Sequence, residues 1–195
     1  MSSLTSTLLV AGLLLVAGVS VGTSAFTTAE VDRQANVDVV ADNTGLLGLT
    51  DGNSGNLVYQ NSSDQLAIDF TNGTADGANT DAKFVLGDPE NPGSSQAFII
   101  TNNDAESHTI EATYNTNTDD AQNAENLKFE IYDDGSLKTT IKASSDSAVT
   151  WEAPAGSSYD GVVTVDTGHD SAAVLQSDTD LSGTLEFRIN DDDTN

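Results

Sequence analysis

The chain has 195 residues, with 6 Lys+Arg against 31 Asp+Glu and a formal net charge of -25. So acidic a chain repels the phosphates of nucleic acids and anionic lipid head groups, which argues against both as partners. It contains no cysteine, which excludes thiol catalysis, thiolate metal sites and disulfide staples.

Residues 8–21 (LLVAGLLLVAGVSV) form an uncharged apolar segment. A helix rises ~1.5 Å per residue, so the segment covers roughly 21 Å, short of the ~30 Å hydrocarbon core of a bilayer. It fits the ~7–15-residue apolar region of a secretory signal. Thr23 and Ala25 place small residues where a signal peptidase reads, which predicts a signal peptide over 1–25, cleaved after Ala25. Residues 1–7 lack the usual Lys or Arg, so the alternative is a short retained anchor. Membrane contact is expected only through this segment, and the protein is expected to be secreted or held at the cell surface.

Residues 26–45 follow as an N-terminal strand segment, alternating from Val31 to Val40 and closed by a turn at Asp42-Asn43-Thr44-Gly45. Val31, Arg33, Ala35, Val37 and Val39 share one face of an extended chain, and Asp32, Gln34, Asn36 and Asp38 share the other. From residue 46 onward, short strands recur between loops of Asp, Asn, Gly, Ser and Thr. The pattern predicts strands at 57–59, 66–70, 83–86, 97–100 and 109–114. It predicts others at 127–132, 137–141, 148–151, 162–165, 172–175 and 181–189. Asp133-Asp134-Gly135-Ser136 reads as a hairpin turn. In the last run Leu181, Gly183, Leu185, Phe187 and Ile189 share a face. Beyond the first segment no stretch keeps a 3.6 period over 11 or more residues. The expected fold is all-β: a jelly-roll-like antiparallel β-sandwich over 46–195, preceded by the hydrophobic signal segment.

The acid is spread along the whole chain. Self-repulsion should destabilise a compact state in dilute buffer. At 1 M salt the Debye length falls to ~3 Å and the repulsion is largely screened. The composition therefore predicts a halophilic protein exported into brine.

Catalytic chemistry finds little purchase. His108 and His169 lie far apart, neither sits in HExxH, and both are expected to be solvated. No GxSxG, GxxxxGK[ST] or GxGxxG occurs. No catalytic or cofactor-binding residue is assigned. Paired acids at Asp119-Asp120, Asp133-Asp134 and Asp191-Asp192-Asp193 are weak Ca²⁺ candidates without EF-hand spacing, and solvated surface is the better reading. Asn61-Ser62-Ser63 and Asn72-Gly73-Thr74 are glycosylation sequons in loop-like surroundings.

The order of signal segment, small residues, Ala25-Phe26-Thr27-Thr28-Ala29-Glu30-Val31-Asp32-Arg33, alternating strand and Leu46-Leu47-Gly48-Leu49 resembles a group of haloarchaeal secreted proteins. More distantly it resembles the TasA/camelysin group of biofilm-matrix proteins and the archaeal bundling pili. Phe84-Val85-Leu86, the Pro-rich loop and Ala97-Phe98-Ile99-Ile100-Thr101-Asn102-Asn103 are similar to a segment of those proteins. Camelysin has been classed as a peptidase, but no catalytic motif carries over to this chain. The resemblance implies donor-strand complementation, in which the leading strand completes the sheet of the next subunit. Val31, Ala35, Val37 and Val39 would fill a groove, with Phe26 at its end. The expected function is a non-catalytic, head-to-tail subunit of an extracellular filament or biofilm matrix. The alternative is a monomeric cell-surface binding module whose N-terminal strand pairs internally. A hydrolase of unrecognised type is the weakest reading.

Overall fold

Eleven strands carry the architecture of the computed structural model, which describes residues 41–72, 74, 76–116, 125–143, 148–169, 172–176 and 179–191. The readings placed on 1–40 lie outside the described residues. The strands are β1 (Leu47–Asp51), β2 (Val58–Gln60), β3 (Leu66–Ile68), β4 (Lys83–Leu86), β5 (Phe98–Asn102) and β6 (His108–Thr116). They continue as β7 (Leu127–Asp133), β8 (Ser136–Lys142), β9 (Val149–Ala153), β10 (Ser158–Asp166) and β11 (Gly183–Ile189). One 3₁₀ turn, Asp42–Thr44, precedes them. The all-β, antiparallel expectation is met.

The large sheet has six strands, ordered β1-β5-β10-β7-β8, with β4 also paired to β10. The small sheet has three, β11-β6-β9, and β2 and β3 form a separate hairpin. β4 and β5 lie end to end along one edge of β10: Leu86 faces Val163, and Phe98 faces Gly161. They are one line of strand interrupted by a loop. Gly87 and Gln96 bridge its neck, and Asp88 N–H donates to Ser95 O at 2.7 Å. Gly87 has φ +90, and a Cβ there would meet Ser95 O at 3.0 Å and Val162 Cγ2 at 3.1 Å. Only glycine takes that conformation at low cost in so tight a neck.

The two sheets meet through aromatic pairs. Phe98 of β5 meets Phe187 of β11 at 6.3 Å, Tyr114 of β6 meets Phe129 of β7 at 5.1 Å, and Trp151 of β9 meets Tyr159 of β10 at 5.9 Å. Around them Ile100, Ile110, Ile131 and Val163 are fully buried. Each such side chain contributes roughly 1.5–3 kcal/mol by leaving water. Buried Asn102 joins the sheets with hydrogen bonds. Its Nδ2 donates to Glu106 O at 2.8 Å and Ala153 O at 2.9 Å, and its Oδ1 accepts from Asp104 N–H. The Asp134-Gly135 hairpin is a two-residue loop with φ +47 and +78, the both-positive geometry that matches the twist of its strands.

One predicted strand is corrected. Residues 172–175 are not a strand. Gly168 turns the chain at φ +120, and the fully buried Asn126 reaches across with Nδ2 to Ala173 O at 2.7 Å and Asp166 O at 2.6 Å. Leu175 N–H donates to Thr167 O, which tucks Leu175 inward and leaves Val174 exposed. An apolar run carries no strand without a neighbour offering ladder hydrogen bonds, and here a side-chain amide supplies the bond instead.

Candidate functional site

The large sheet outspans the small one, and the mismatch leaves a groove of about 770 Å³. Leu127 and Phe129 of β7 and Val163 and Val165 of β10 line it from the large sheet. These alternate residues point inward because successive strand side chains take opposite faces. Tyr114, Leu185 and Phe187 line it from the small sheet, and Leu66, Ile68 and Phe70 from the β2–β3 hairpin and the residues after it. Phe70 is fixed edge-on to Phe84 at 5.6 Å.

β11 borders this groove. It pairs with β6 from Gly183↔Thr116 to Ile189↔Ile110, and its other edge has no partner strand among the described residues. Such an edge presents a row of unpaired N–H and C=O groups, a template for another strand. Asp42, Asp69, Asp76 and Asp180 also line the groove, which has no Lys or Arg among its described lining residues. Two of these acids are held ionised by local hydrogen bonds. The Thr71 hydroxyl and N–H donate to Asp69 at 2.6 and 2.7 Å and push its carboxyl below the usual range. Ser182, with its N–H at 2.8 Å, does the same for Asp180. Burial, with the charge of Asp180 beside it, pushes the Tyr114 phenol up to about 12; it donates to Leu181 O at 2.7 Å. The Tyr114 phenol and the carboxylates of Asp69 and Asp180 therefore hold one charge state across the neutral range, and the groove offers apolar walls, an open strand edge and negative charge.

The residues expected from sequence to form a donor strand, Phe26, Val31, Ala35, Val37 and Val39, the expected cleavage position Ala25, and the acids Asp119, Asp120, Asp192 and Asp193 lie outside the described residues. The remaining Ca²⁺ candidates are not brought together as a ligand set. Asp133 pairs with Lys138 at 3.4 Å and Asp134 sits in the β7–β8 turn, whereas Asp191 follows β11 of the other sheet. Asp191 is engaged by His108 and the Thr109 N–H. No group of three or more metal-ligating side chains occurs among the described residues.

The expectation of two solvated histidines is half corrected. His169 is exposed. His108 is only 12% exposed, held between Asp104 at 2.8 Å (Nε2) and Asp191 at 2.5 Å (Nδ1). The sequence hid this because Asp191 stands 83 positions away and only the β6–β11 pairing delivers it. Of the sequon asparagines, Asn61 lies in the β2–β3 turn and borders the groove. Asn72 is exposed, with its Nδ2 donating to Asn56 O at 2.8 Å.

The groove itself was not foreseen. Each lining residue belongs to a stretch legible as strand or loop, but the vacancy between sheets of unequal width left no pattern in the chain. No protein-family model matches the chain, and no curated protein matches it. No helix among the described residues is long and apolar enough to cross a membrane.

Proposed function

We propose that the groove accepts an extended segment from a neighbouring copy, and that the protein is a non-catalytic structural subunit of an extracellular filament or biofilm matrix. The supporting observation is the groove of about 770 Å³, with apolar side chains on its walls and aspartates among its lining, beside an edge of β11 that has no partner strand among the described residues. The donor is residues 26–40 of the next chain, the alternating part of segment 26–45; residues 41–45 stay with their own subunit, where Asp42 Oδ2 accepts from Leu66 N–H at 2.9 Å. The donor would add ladder hydrogen bonds to β11 and insert alternate side chains into the groove, which is β-augmentation. Val31, Ala35, Val37 and Val39 supply the apolar face, with Phe26 at the end. Arg33, on the same face, is the one cation in 26–45 and meets a rim of aspartates. Residues 31–39 span roughly 30 Å when extended at ~3.3 Å per residue, enough to run the length of the seven-residue β11. The contact is heterologous, so it propagates head to tail unless it closes. This assembly requires no cofactor and suits a chain exported to the cell surface through segment 1–25.

The jelly-roll reading belongs to the same proposal. It is supported by the chain passing between sheets at β5–β6, β6–β7, β8–β9, β9–β10 and β10–β11, with β7–β8 staying within one sheet. The second reading, a monomeric surface module with its own strand in the groove, draws support from Asp42. That residue, two positions after segment 1–40, lines the groove of its own subunit.

The two readings part in one experiment. Replacing Val37 and Val39 with Asp removes two buried side chains, about 3–6 kcal/mol of burial. For a filament this raises the critical concentration by roughly 10²–10⁴-fold, with the subunit still folded. Pelleting and negative-stain imaging in molar salt read the outcome. Solitary wild-type particles whose stability collapses in the double variant would establish internal pairing and end the filament reading.

A further inference from the structure

Two sequons stand in the chain, and their side chains are held in opposite ways. Asn61 opens the turn between β2 and β3, where Asn61 N–H donates to Gln65 O at 2.8 Å and Asp64 N–H to Asn61 O at 2.9 Å. Its side-chain Oδ1 accepts from Ser63 N–H at 2.8 Å and from Gln65 N–H at 3.1 Å. This is an Asx turn, which folds the sequon back on itself and brings Ser63 beside the carboxamide. Asp64 completes it at φ +55. With Oδ1 committed to the backbone, Nδ2 is the free end of the amide and makes no hydrogen bond to the described residues. Ser62, Ser63, Asp64 and Gln65 are exposed, so the turn stands clear of the sheets. Asn72 presents the reverse arrangement, because its Nδ2 is the engaged atom, one of its two N–H groups donating to Asn56 O across the loop.

N-glycosylation needs an asparagine Nδ2 that can reach an activated sugar, with the sequon hydroxyl nearby. We propose that Asn61 is the glycosylated position of this protein and that Asn72 is not modified. The donor class is a lipid-linked oligosaccharide, joined through phosphate to a polyprenyl carrier. Nδ2 forms a bond to the anomeric carbon, and the bond from that carbon to the carrier phosphate breaks. The phosphate leaves with the bonding electrons, and one amide proton passes to a base of the transferase. Because Asn61 borders the groove, its glycan would stand at the rim where the hairpin meets it and shield that rim with neutral, hydrated bulk.

The proposal rests on the proposed export of the chain and not on its assembly. The test is mass spectrometry of the full chain recovered from the medium of its own host, together with Asn61→Gln, Asn72→Gln, Ser63→Ala and Ser63→Thr variants. Recovery from the medium tests export separately from glycan occupancy. The expected result is a hexose-containing mass on the peptide with Asn61. It should be lost completely in Asn61→Gln and Ser63→Ala, and kept in Ser63→Thr and Asn72→Gln. Circular dichroism of each variant confirms that folding is intact. An exported wild type with bare Asn61, or loss of the glycan in Asn72→Gln, overturns the assignment.

Discussion

The ring of Phe98 lies across Gly161, its register partner on the neighbouring strand. A Cβ built on Gly161 would stand 2.4–2.6 Å from three ring carbons of Phe98. Phe98 is fully buried and faces Phe187 on the opposite sheet, so it has nowhere to retreat. The glycine thus serves β10 by its missing side chain, in a strand otherwise rich in valine.

Gly161→Ala should therefore destabilise the protein by about 1–3 kcal/mol or more, the usual range for overpacking a closed core. The pair Gly161→Ala/Phe98→Leu should recover part of that loss, because the smaller side chain vacates the contested space. Urea denaturation followed through Trp151 measures both. It is the only tryptophan and is 5% exposed, so its emission reports unfolding without ambiguity. Additive losses in the double variant would show that the two residues do not compete for one volume.

The clasp of His108 between Asp191 and Asp104 predicts a pH window. The carboxylate of Asp191, then that of Asp104, raises the His108 imidazole above its ordinary value. Asp191 is lowered mainly by the Thr109 N–H and then by His108, and Asp104 mainly by His108. A raised histidine contributes its full stability below the unfolded-state value of about 6.5 and loses it as pH climbs through the folded value. Lowered carboxylates contribute above about 3.9 and lose it as pH falls through their folded values. The clasp is therefore strongest from about pH 4 to about 6.5 and slackens on both sides. His108→Gln should flatten the alkaline decline between about pH 6.5 and 9. Denaturation curves across that range at fixed molar salt give the answer, and an unchanged slope in the variant would remove the histidine from the account.

Salt is the third lever. With a net charge of -25, raising NaCl from about 0.1 to 1 M shortens the Debye length from about 10 to 3 Å. Thermal stability should rise steeply over that interval, and KCl should act as NaCl does. A neutral osmolyte at equal osmotic strength leaves charge unscreened and should lack the steep low-salt rise. Thermal melts followed by circular dichroism are sufficient. A melting temperature indifferent to salt would sink the brine-adapted reading.

Much of the fold was legible because strand periodicity is local. Leu185, Phe187 and Ile189 alternate with polar partners, and Asp134-Gly135 is one of the few dipeptides that suit a two-residue hairpin with both φ positive. The misread segment, 172–175, is instructive. Its apolar content is real, but Asn126, 47 positions before Ala173, takes the hydrogen bond a ladder would have made.

By itself the sequence determined the class of structure, the acidic surface and the alternation of nearly every strand, since these follow from neighbours two or three residues apart. Only the tertiary structure decided that β4 and β5 form one broken line along β10, that His108 meets Asp191, and that β11 ends its sheet, among the described residues, beside a groove of apolar walls and aspartates. Those facts depend on which distant strands share an edge. Register and edge position are settled by the packing of whole sheets, and no short stretch of chain encodes them alone.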